Sequence, residues 1–354
     1  MLSTSAYILY FFDTAYAYPN SEATLGEILV KHNKRKDVYI ATKLPLILCK
    51  SADDFDKFFN EQLRRLQTDY VDYYFMHSIY DYAQWDNFRK MGIEQWIAEK
   101  RKSGLLRQIG FSYHGTYEDF LKILDSYDWG FCMIQYNYFN ENYQAGKKGL
   151  ISAAEKGISV IIMEPLLGGR LATGLPKQAV EMFTKSNSNL TPADWALWWL
   201  WNQSEVTVVL SGMSSNQIMK SNLNSIENFK PLTDNELTVY TDVIELFKKA
   251  YKINCTGCNY CLPCPKGINI PSCFSAYNSS YAQGYITGLQ QYMTSTAAFS
   301  KNPISPYRCN QCGKCEKNCP QYIPIRKSLK KVGSRFESLP LRLLWELARR
   351  VILK

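Results

Sequence analysis

The chain has 354 residues, 46% of them apolar and 21% charged, a balance that supports packed cores and argues against extended disorder. No apolar run reaches the roughly 18 residues of a membrane-spanning helix, and apolar residues 1–12 lack the basic flank of an export signal, so a cytoplasmic location is expected. The formal charge is +9, but no dense Lys/Arg run with interleaved aromatics occurs, which argues against nucleic-acid binding.

Over the first 250 residues, short β-rich apolar runs alternate with segments of helical length. In chain order, a strand over 7–12 is followed by a helix over 22–32, opened by Asn20 and Ser21. A strand over 38–42 leads to a helix over 52–66, preceded by Ser51 and carrying Asp53 and Asp54 in its first turn, where the helix dipole favours acids. Next come a strand over 71–76, a long amphipathic helix over 84–103, and strands over 106–111, 131–134 and 159–163. Thr191 and Pro192 open a helix over 193–202, whose Trp195, Trp198, Trp199 and Trp201 are read as core. A strand over 206–210 and a helix over 233–251 complete the region. Alternation of this kind predicts parallel strands joined by crossover helices. The seven strands end at Asp13, Lys43, His77, Ser112, Gln135, Glu164 and Ser211. In a (β/α) barrel the site lies at the C-terminal strand ends, so seven polar termini suit a barrel. A doubly wound open sheet is the alternative, but no G-x-G-x-x-G follows the first strand.

Eight of the eleven cysteines fall in two tight groups beyond residue 250. The second, Cys309, Cys312, Cys315 and Cys319 followed by Pro320, has the C-x₂-C-x₂-C-x₃-C-P spacing of bacterial ferredoxins. The first is Cys255, Cys258, Cys261 and Cys264, followed by Pro265. In the ferredoxin pattern the fourth cysteine serves the other cluster. Cys255, Cys258, Cys261 and Cys319 are therefore expected to hold one [4Fe–4S] cluster, and Cys309, Cys312, Cys315 and Cys264 the second. Only two residues separate Cys261 from Cys264, so Cys264 could instead reach back to its own group. Zinc sites usually separate two C-x₂-C pairs by a loop, and disulfides require an oxidising compartment, so iron–sulfur is preferred to both. Two clusters at roughly −2 each would lower the net charge to about +5. Cys49, Cys132 and Cys273 are read as ordinary thiols.

Phe12-Asp13-Thr14-Ala15-Tyr16-Ala17-Tyr18, with Asn20-Ser21-Glu22 and Leu25-Gly26, resembles a motif of the aldo/keto reductase family. Ala41-Thr42-Lys43 is similar to that family's lysine strand and 70–77 to its histidine strand. Ile109-Gly110-Phe111-Ser112, Gln135-Tyr136-Asn137, Glu164-Pro165-Leu166 and Ser211-Gly212-Met213 through Asn222 resemble its later signatures. The resemblance covers roughly residues 7–250. The cysteine segment resembles the ferredoxin-like tail of one subgroup of the family. It implies an α/β fold, a (β/α)8 TIM-type barrel, followed by a small α-helical ferredoxin-like domain. The expected divisions are 1–250, 251–330 and an amphipathic tail over 331–354, whose apolar part, 339–354, carries Arg342, Arg349, Arg350 and Lys354. The family barrel has a further strand and helix ahead of the Asp13 motif. This chain is thus expected to form the barrel without its first strand and helix.

The resemblance further implies a catalytic tetrad of Asp13, Tyr18, Lys43 and His77. The chemistry is consistent on its own terms: a carbonyl that receives hydride develops alkoxide charge and needs a proton donor. Tyrosine ordinarily titrates near pH 10, and a neighbouring ammonium would lower that value. Asp13 would hold Lys43, and His77 would orient the substrate oxygen. By the same resemblance Ser112 and Gln135 touch a nicotinamide, with Glu164, Ser211, Gly212, Met213 and Asn222 completing the binding of NADP or NAD. Ile218 stands where the family often places a cation for the 2′-phosphate, and Lys220 is the nearest cation, so the choice of nucleotide is open. His114 follows Ser112 by two residues and is a further candidate at the same mouth. The implied substrate is a small carbonyl or alcohol, and a redox partner protein is expected if the clusters pass electrons. The competing reading is an iron–sulfur electron-transfer protein whose barrel does not catalyse.

Overall fold

The computed structural model describes residues 10–298 and 302–338, with Leu341 and Trp345. The start of the expected first strand and almost all of the tail over 339–354 lie outside the described residues. Two compact units can be distinguished: residues up to Pro165 with Trp198–Pro231, and Leu166–Leu197 with the chain from Leu232 onward.

The first unit is built on seven parallel strands in the order of the sequence. These are β1 (Phe11–Asp13), β2 (Tyr39–Leu44), β3 (Val71–Ile79), β4 (Leu106–Tyr113), β5 (Phe131–Gln135), β6 (Ser159–Met163) and β7 (Val206–Val209). The helices on its outer side are α1 (Ser21–Lys31), α2 (Asp53–Leu66), α3 (Tyr82–Lys90), α4 (Ile93–Lys102), α5 (Tyr117–Ser126) and α6 (Gly146–Glu155). The strands curl, because side chains of alternate positions meet inside the sheet. Ala41, Phe75, Phe131, Met133 and Ile161 form an inner cluster that also receives Phe11 of β1 and Val208 of β7. A larger outer core, including Ile40, Tyr74, Met76, Phe111 and Ile162, joins the opposite strand faces to the helices. Strand alternation fixes which residues face inward. At position 110 only glycine fits, since a Cβ there would run into the Phe131 carbonyl and ring.

The helix expected over 84–103 is two helices. Gly92 takes φ +87° between α3 and α4, a left-handed conformation that ends one helix and turns the chain into the next. Asn20 also departs from expectation. It occupies the cap of α1 in left-handed geometry and makes no side-chain hydrogen bond to the helix.

The second unit contains α7 (Arg170–Thr173), α8 (Lys177–Ser186), the opening turns of α9 (Pro192–Trp201), α11 (Asp234–Ala250), α12 (Ile270–Ala282), α13 (Tyr285–Ser295), α14 (Lys314–Lys317) and α15 (Ile325–Phe336). The later turns of α9 return to the first unit, where α10 (Asn216–Glu227) also lies. Trp195 stacks on Phe183 at 4.7 Å and Tyr240 Oη donates to its carbonyl, while in the first unit Trp198 Nε1 donates to Ser225. Both tryptophans are buried, as expected of core residues. In the cysteine-rich part, Ile268, Phe274, Leu329, Val332 and Phe336 form a separate core. Buried Asn278 accepts from the Lys252 and Ile253 amides and donates to the Ile253 carbonyl, fastening the approach to Cys255 onto α12.

Candidate active site and cluster site

Because all seven strands are parallel, their polar C-terminal residues gather at one edge of the sheet. Lys43 ends the inward face of β2 and is 1% exposed. Its ammonium donates to both Asp13 carboxylate oxygens and to the Thr14 carbonyl, each at 2.7 Å. The same nitrogen lies 4.7 Å from the centre of the Tyr18 ring, and the His77 ring meets Tyr18 edge-on at 6.4 Å. Asp13, Tyr18, Lys43 and His77, drawn from 65 positions of sequence, thus occupy one site. Burial pushes the Asp13 carboxyl above its ordinary value, and the Lys43 charge and hydrogen bonds pull it back only in part. His77 keeps part of its surface accessible, yet its position holds it well below the ordinary imidazole value. Loss of water is the main cause, with the Lys43 charge and then the neighbouring His114 pushing in the same direction.

A buried polar network, not foreseen from the sequence, lies behind β2. The Glu22 carboxylate accepts from Thr42 Oγ1 at 2.6 Å, from Gln62 Nε2 at 2.8 Å and from Arg65 at 3.2 Å. Gln62 Nε2 also approaches the Lys43 carbonyl at 3.0 Å, and Gln62 Oε1 accepts from Tyr74 Oη at 2.7 Å. Thr42 and Lys43 alternate in direction, so this network grips the outer face of the segment whose inner face carries the lysine. The signal was present in Glu22 of the Asn-Ser-Glu motif. Its partner Gln62, however, lies 40 positions away on a helix whose apolar pattern gives no hint of it.

Alternation also sorts the end of β4. Tyr113 faces outward: its ring packs on Phe120 at 5.1 Å and its hydroxyl donates to the Thr116 carbonyl. Ser112 faces the other way and its hydroxyl accepts the Ser78 amide at 2.8 Å, at an irregular turn where Ser78 takes φ +59°. His114, two residues on, is buried and stacked at 6.0 Å on Tyr80. Burial pushes His114 down to about 4, against the opposing effect of a Gln144 hydrogen bond.

The remaining positions expected to bind a nucleotide end the later strands. Gln135 is buried at the end of β5. Glu164 has a left-handed backbone at φ +54°, and its carbonyl accepts from Asn137 Nδ2. After β7, Asn222 of α10 donates to Ser211 Oγ at 2.8 Å, tying the Ser211-Gly212-Met213 loop to the helix. Open space surrounds the position a Gly212 Cβ would occupy, and Met213 has φ +37°. The first turn of α10 is free of acidic residues and Ser215 caps it. This donor set fits a dinucleotide: buried amide and hydroxyl groups suit a carboxamide, and a helix N-terminus suits phosphate.

In the second unit, Cys255, Cys258, Cys261 and Cys319 line one concavity, together with Thr256, Ile270, Phe274, Ile323 and Ile325. Four sulfurs in a largely apolar wall are a donor set suited to a [4Fe–4S] cluster. Three of them come from the first cysteine group and one from the second. Burial pushes the Cys261 thiol up to about 12, with the Cys255, Cys258 and Cys319 sulfurs adding to the effect. Cys309 accepts from Gln311 Nε2 at 3.5 Å, and Arg326 reaches across the same loop to Glu316 at 2.7 Å and toward the Gln311 carbonyl at 3.4 Å. Cys312 is exposed, and Cys264 packs against the core of this unit.

Residues 7–245, more than half the sequence, match the aldo/keto reductase family. The chain belongs to the aldo/keto reductase family. Residues 254–329 match the 4Fe-4S dicluster domain, so this family member carries a C-terminal 4Fe–4S domain. The aldo-keto reductase str7 of Strobilurus tenacellus is 24% identical, over 60% of this chain and 71% of that protein. The holo form of aldo-keto reductase AKR11C1 from Bacillus halodurans superposes with a TM-score of 0.55 at 23% identity, covering 66% of this chain and 82% of that one. Its apo form gives 0.52 at 24%. At that identity these structures establish the fold of the barrel part, seven parallel strands of an aldo/keto reductase barrel. Among the described residues, no helix is long and apolar enough to cross a membrane.

Proposed function

We propose that this aldo/keto reductase transfers hydride between NADPH or NADH and a small carbonyl or alcohol substrate, and that its cysteine loops hold two [4Fe–4S] clusters. The observation that carries the reading is the Lys43 ammonium, held by Asp13 and lying 4.7 Å from the Tyr18 ring. A bound reduced nicotinamide supplies the hydride. Tyr18 donates its phenolic proton to the oxygen as alkoxide charge develops, and the adjacent ammonium stabilises the phenolate left behind. Asp13 balances the buried lysine charge and fixes its position. His77, neutral near pH 7, donates a hydrogen bond to the same oxygen without adding charge, which orients the carbonyl. Ser112, Gln135 and Glu164 hold the nicotinamide end of the cofactor, and Ser211, Gly212, Met213 and Asn222 the phosphate end.

Cys255, Cys258, Cys261 and Cys319 hold the first cluster, and Cys309, Cys312, Cys315 and Cys264 the second. The shared concavity of the first four cysteines supports this division. Eight thiols kept for metal suit a reducing compartment, hence the cytoplasm. Reductive reconstitution with iron and sulfide, followed by titration with NADPH and NADH and turnover over a panel of aldehydes and ketones, tests the whole. The reading requires eight irons per chain, saturable nucleotide binding and carbonyl-dependent oxidation of the nucleotide. Absence of nucleotide binding would overturn the reductase.

A further inference from the structure

The 251–336 segment contains eleven lysines and arginines and a single acidic residue, Glu316. The excess exceeds the formal +9 of the entire chain, so the basic character of the protein resides in its cysteine-rich part. Glu316 is already engaged by Arg326. Glu337, just beyond, is buried and accepts from Tyr292 Oη and Ser305 Oγ.

The cations are not spread evenly. Arg308 adjoins Cys309, and Lys314 and Lys317 flank Cys315 on α14. Helix α15 packs against α14 and against the turn Pro306–Arg308, burying Ser328, Leu329, Val332 and Phe336. That register leaves Lys327, Lys330 and Lys331 as a stripe on its outer face. Arg308, Lys314, Lys317, Lys327, Lys330 and Lys331 are all exposed, and none forms an ion pair among the described residues. Arg326 ties the start of α15 to the 309–315 loop through Glu316 and the Gln311 carbonyl, and that loop carries exposed Asn310, Gln311 and Cys312. Clustered like charges weaken a fold by self-repulsion, and their physical return is attraction of an oppositely charged partner. Two thiolate-bound clusters would offset only about four of the ten net charges.

We propose that this face docks a small acidic electron-carrier protein against the 309–315 loop. The inference rests on the reading that the loop holds a redox-active cluster. The exchange is of one electron, lost by the carrier and gained by the cluster or the reverse, with no atom transferred. Association is steered by charge, so it weakens as salt screens the face.

The test uses the reconstituted full chain and an acidic flavodoxin as probe, followed by calorimetric titration. The dissociation constant is expected to rise about tenfold or more between about 0.05 M and 0.5 M salt. K327E/K330E/K331E should lose binding to a similar extent while keeping its iron content and circular dichroism. A parallel titration with a random-sequence DNA duplex addresses the other polyanion. Tighter, patch-dependent binding of the duplex than of flavodoxin overturns the proposal in favour of nucleic acid. Photoreduced deazariboflavin, a small reductant, separates redox activity of the clusters from docking. If it cannot reduce the clusters, the redox reading fails and takes the docking face with it. If it reduces them but flavodoxin binding is absent, or indifferent to salt and charge reversal, the docking face alone fails.

Discussion

Lys43 is the residue on which the site depends. Its charge is buried and its donors are taken by Asp13 and Thr14, so the pair is stable only while both partners are present. Lys43→Met leaves the Asp13 carboxylate without its cation. The expected cost is about 3 kcal/mol of unfolding free energy, because half a buried ion pair keeps its desolvation penalty without its compensation. Carbonyl reduction should be lost in the same variant. Denaturant unfolding and steady-state turnover measure the two effects, and a fully active, equally stable variant would contradict the assignment.

His114 gives a prediction with a defined sign. Its folded-state value is about 4 and the ordinary imidazole value 6.5, so between those limits the unfolded chain binds the extra proton. Stability from this residue is complete above about pH 6.5 and is lost as the pH falls toward 4, with a magnitude on the order of 3 kcal/mol. His77, shifted in the same direction, adds to the slope. Thermal unfolding from pH 7 to 4 should therefore show a smaller drop for His114→Gln than for the parent chain. A parallel pair of curves would refute the assigned burial.

At the scale of elements, the sequence was most readable where periodicity is strong. The seven strands and their polar ends follow from short apolar runs, and each lies where it is expected within a few residues, the start of the first strand being outside the described residues. Where the reading failed, local and nonlocal causes can be separated. The 84–103 segment keeps helical periodicity across Gly92, so amphipathicity alone cannot reveal the break that its φ of +87° imposes. The Glu22–Thr42–Gln62 network is invisible locally, since its members become neighbours only when α1, β2 and α2 are assembled. Gln62→Leu should cost about 1 to 3 kcal/mol by leaving the Glu22 carboxylate and Tyr74 hydroxyl short of partners.

Substitutions at Gly110 and Gly92 should differ in kind. Gly110→Ala forces a methyl against the Phe131 backbone and ring inside the sheet, and is expected to cost about 3 kcal/mol or more. Gly92→Ala meets open space and faces only an unfavourable backbone conformation, with an expected cost of about 1 kcal/mol. Urea unfolding of both variants tests the order. A Gly92 variant less stable than the Gly110 variant would contradict the packing described.

At the scale of the molecule, cysteine spacing told more than any other feature. It points to the cofactor class and draws Cys319 to the first group across more than fifty residues, and these four cysteines line one concavity. Spacing could not tell that Leu166–Leu197, which follows β6 in sequence, belongs to the same compact unit as the cysteine loops. That grouping depends on contacts such as the Gly168 backbone against the Thr256 carbonyl and Gln283 Nε2 donating to the Thr173 carbonyl, which no periodicity encodes. Cys319→Ser should disturb the cluster proposed for Cys255, Cys258 and Cys261 and leave the proposed second cluster largely intact. Iron counting with electron paramagnetic resonance of the reduced protein checks this, and loss of the signal assigned to the second cluster alone would reverse the pairing.

In the proposed reaction Tyr18, supported by Lys43 and His77, protonates a carbonyl oxygen as a nicotinamide delivers hydride to its carbon. The most direct measurement is mass spectrometry of the alcohol formed from an aldehyde and C4-deuterated NADPH, comparing the parent chain with Tyr18→Phe. The expected result is one deuterium on the carbinol carbon and a loss of turnover of about a hundredfold or more in the variant, whose nucleotide binding is unchanged. An alcohol without deuterium, or a Tyr18→Phe variant as active as the parent, would contradict it.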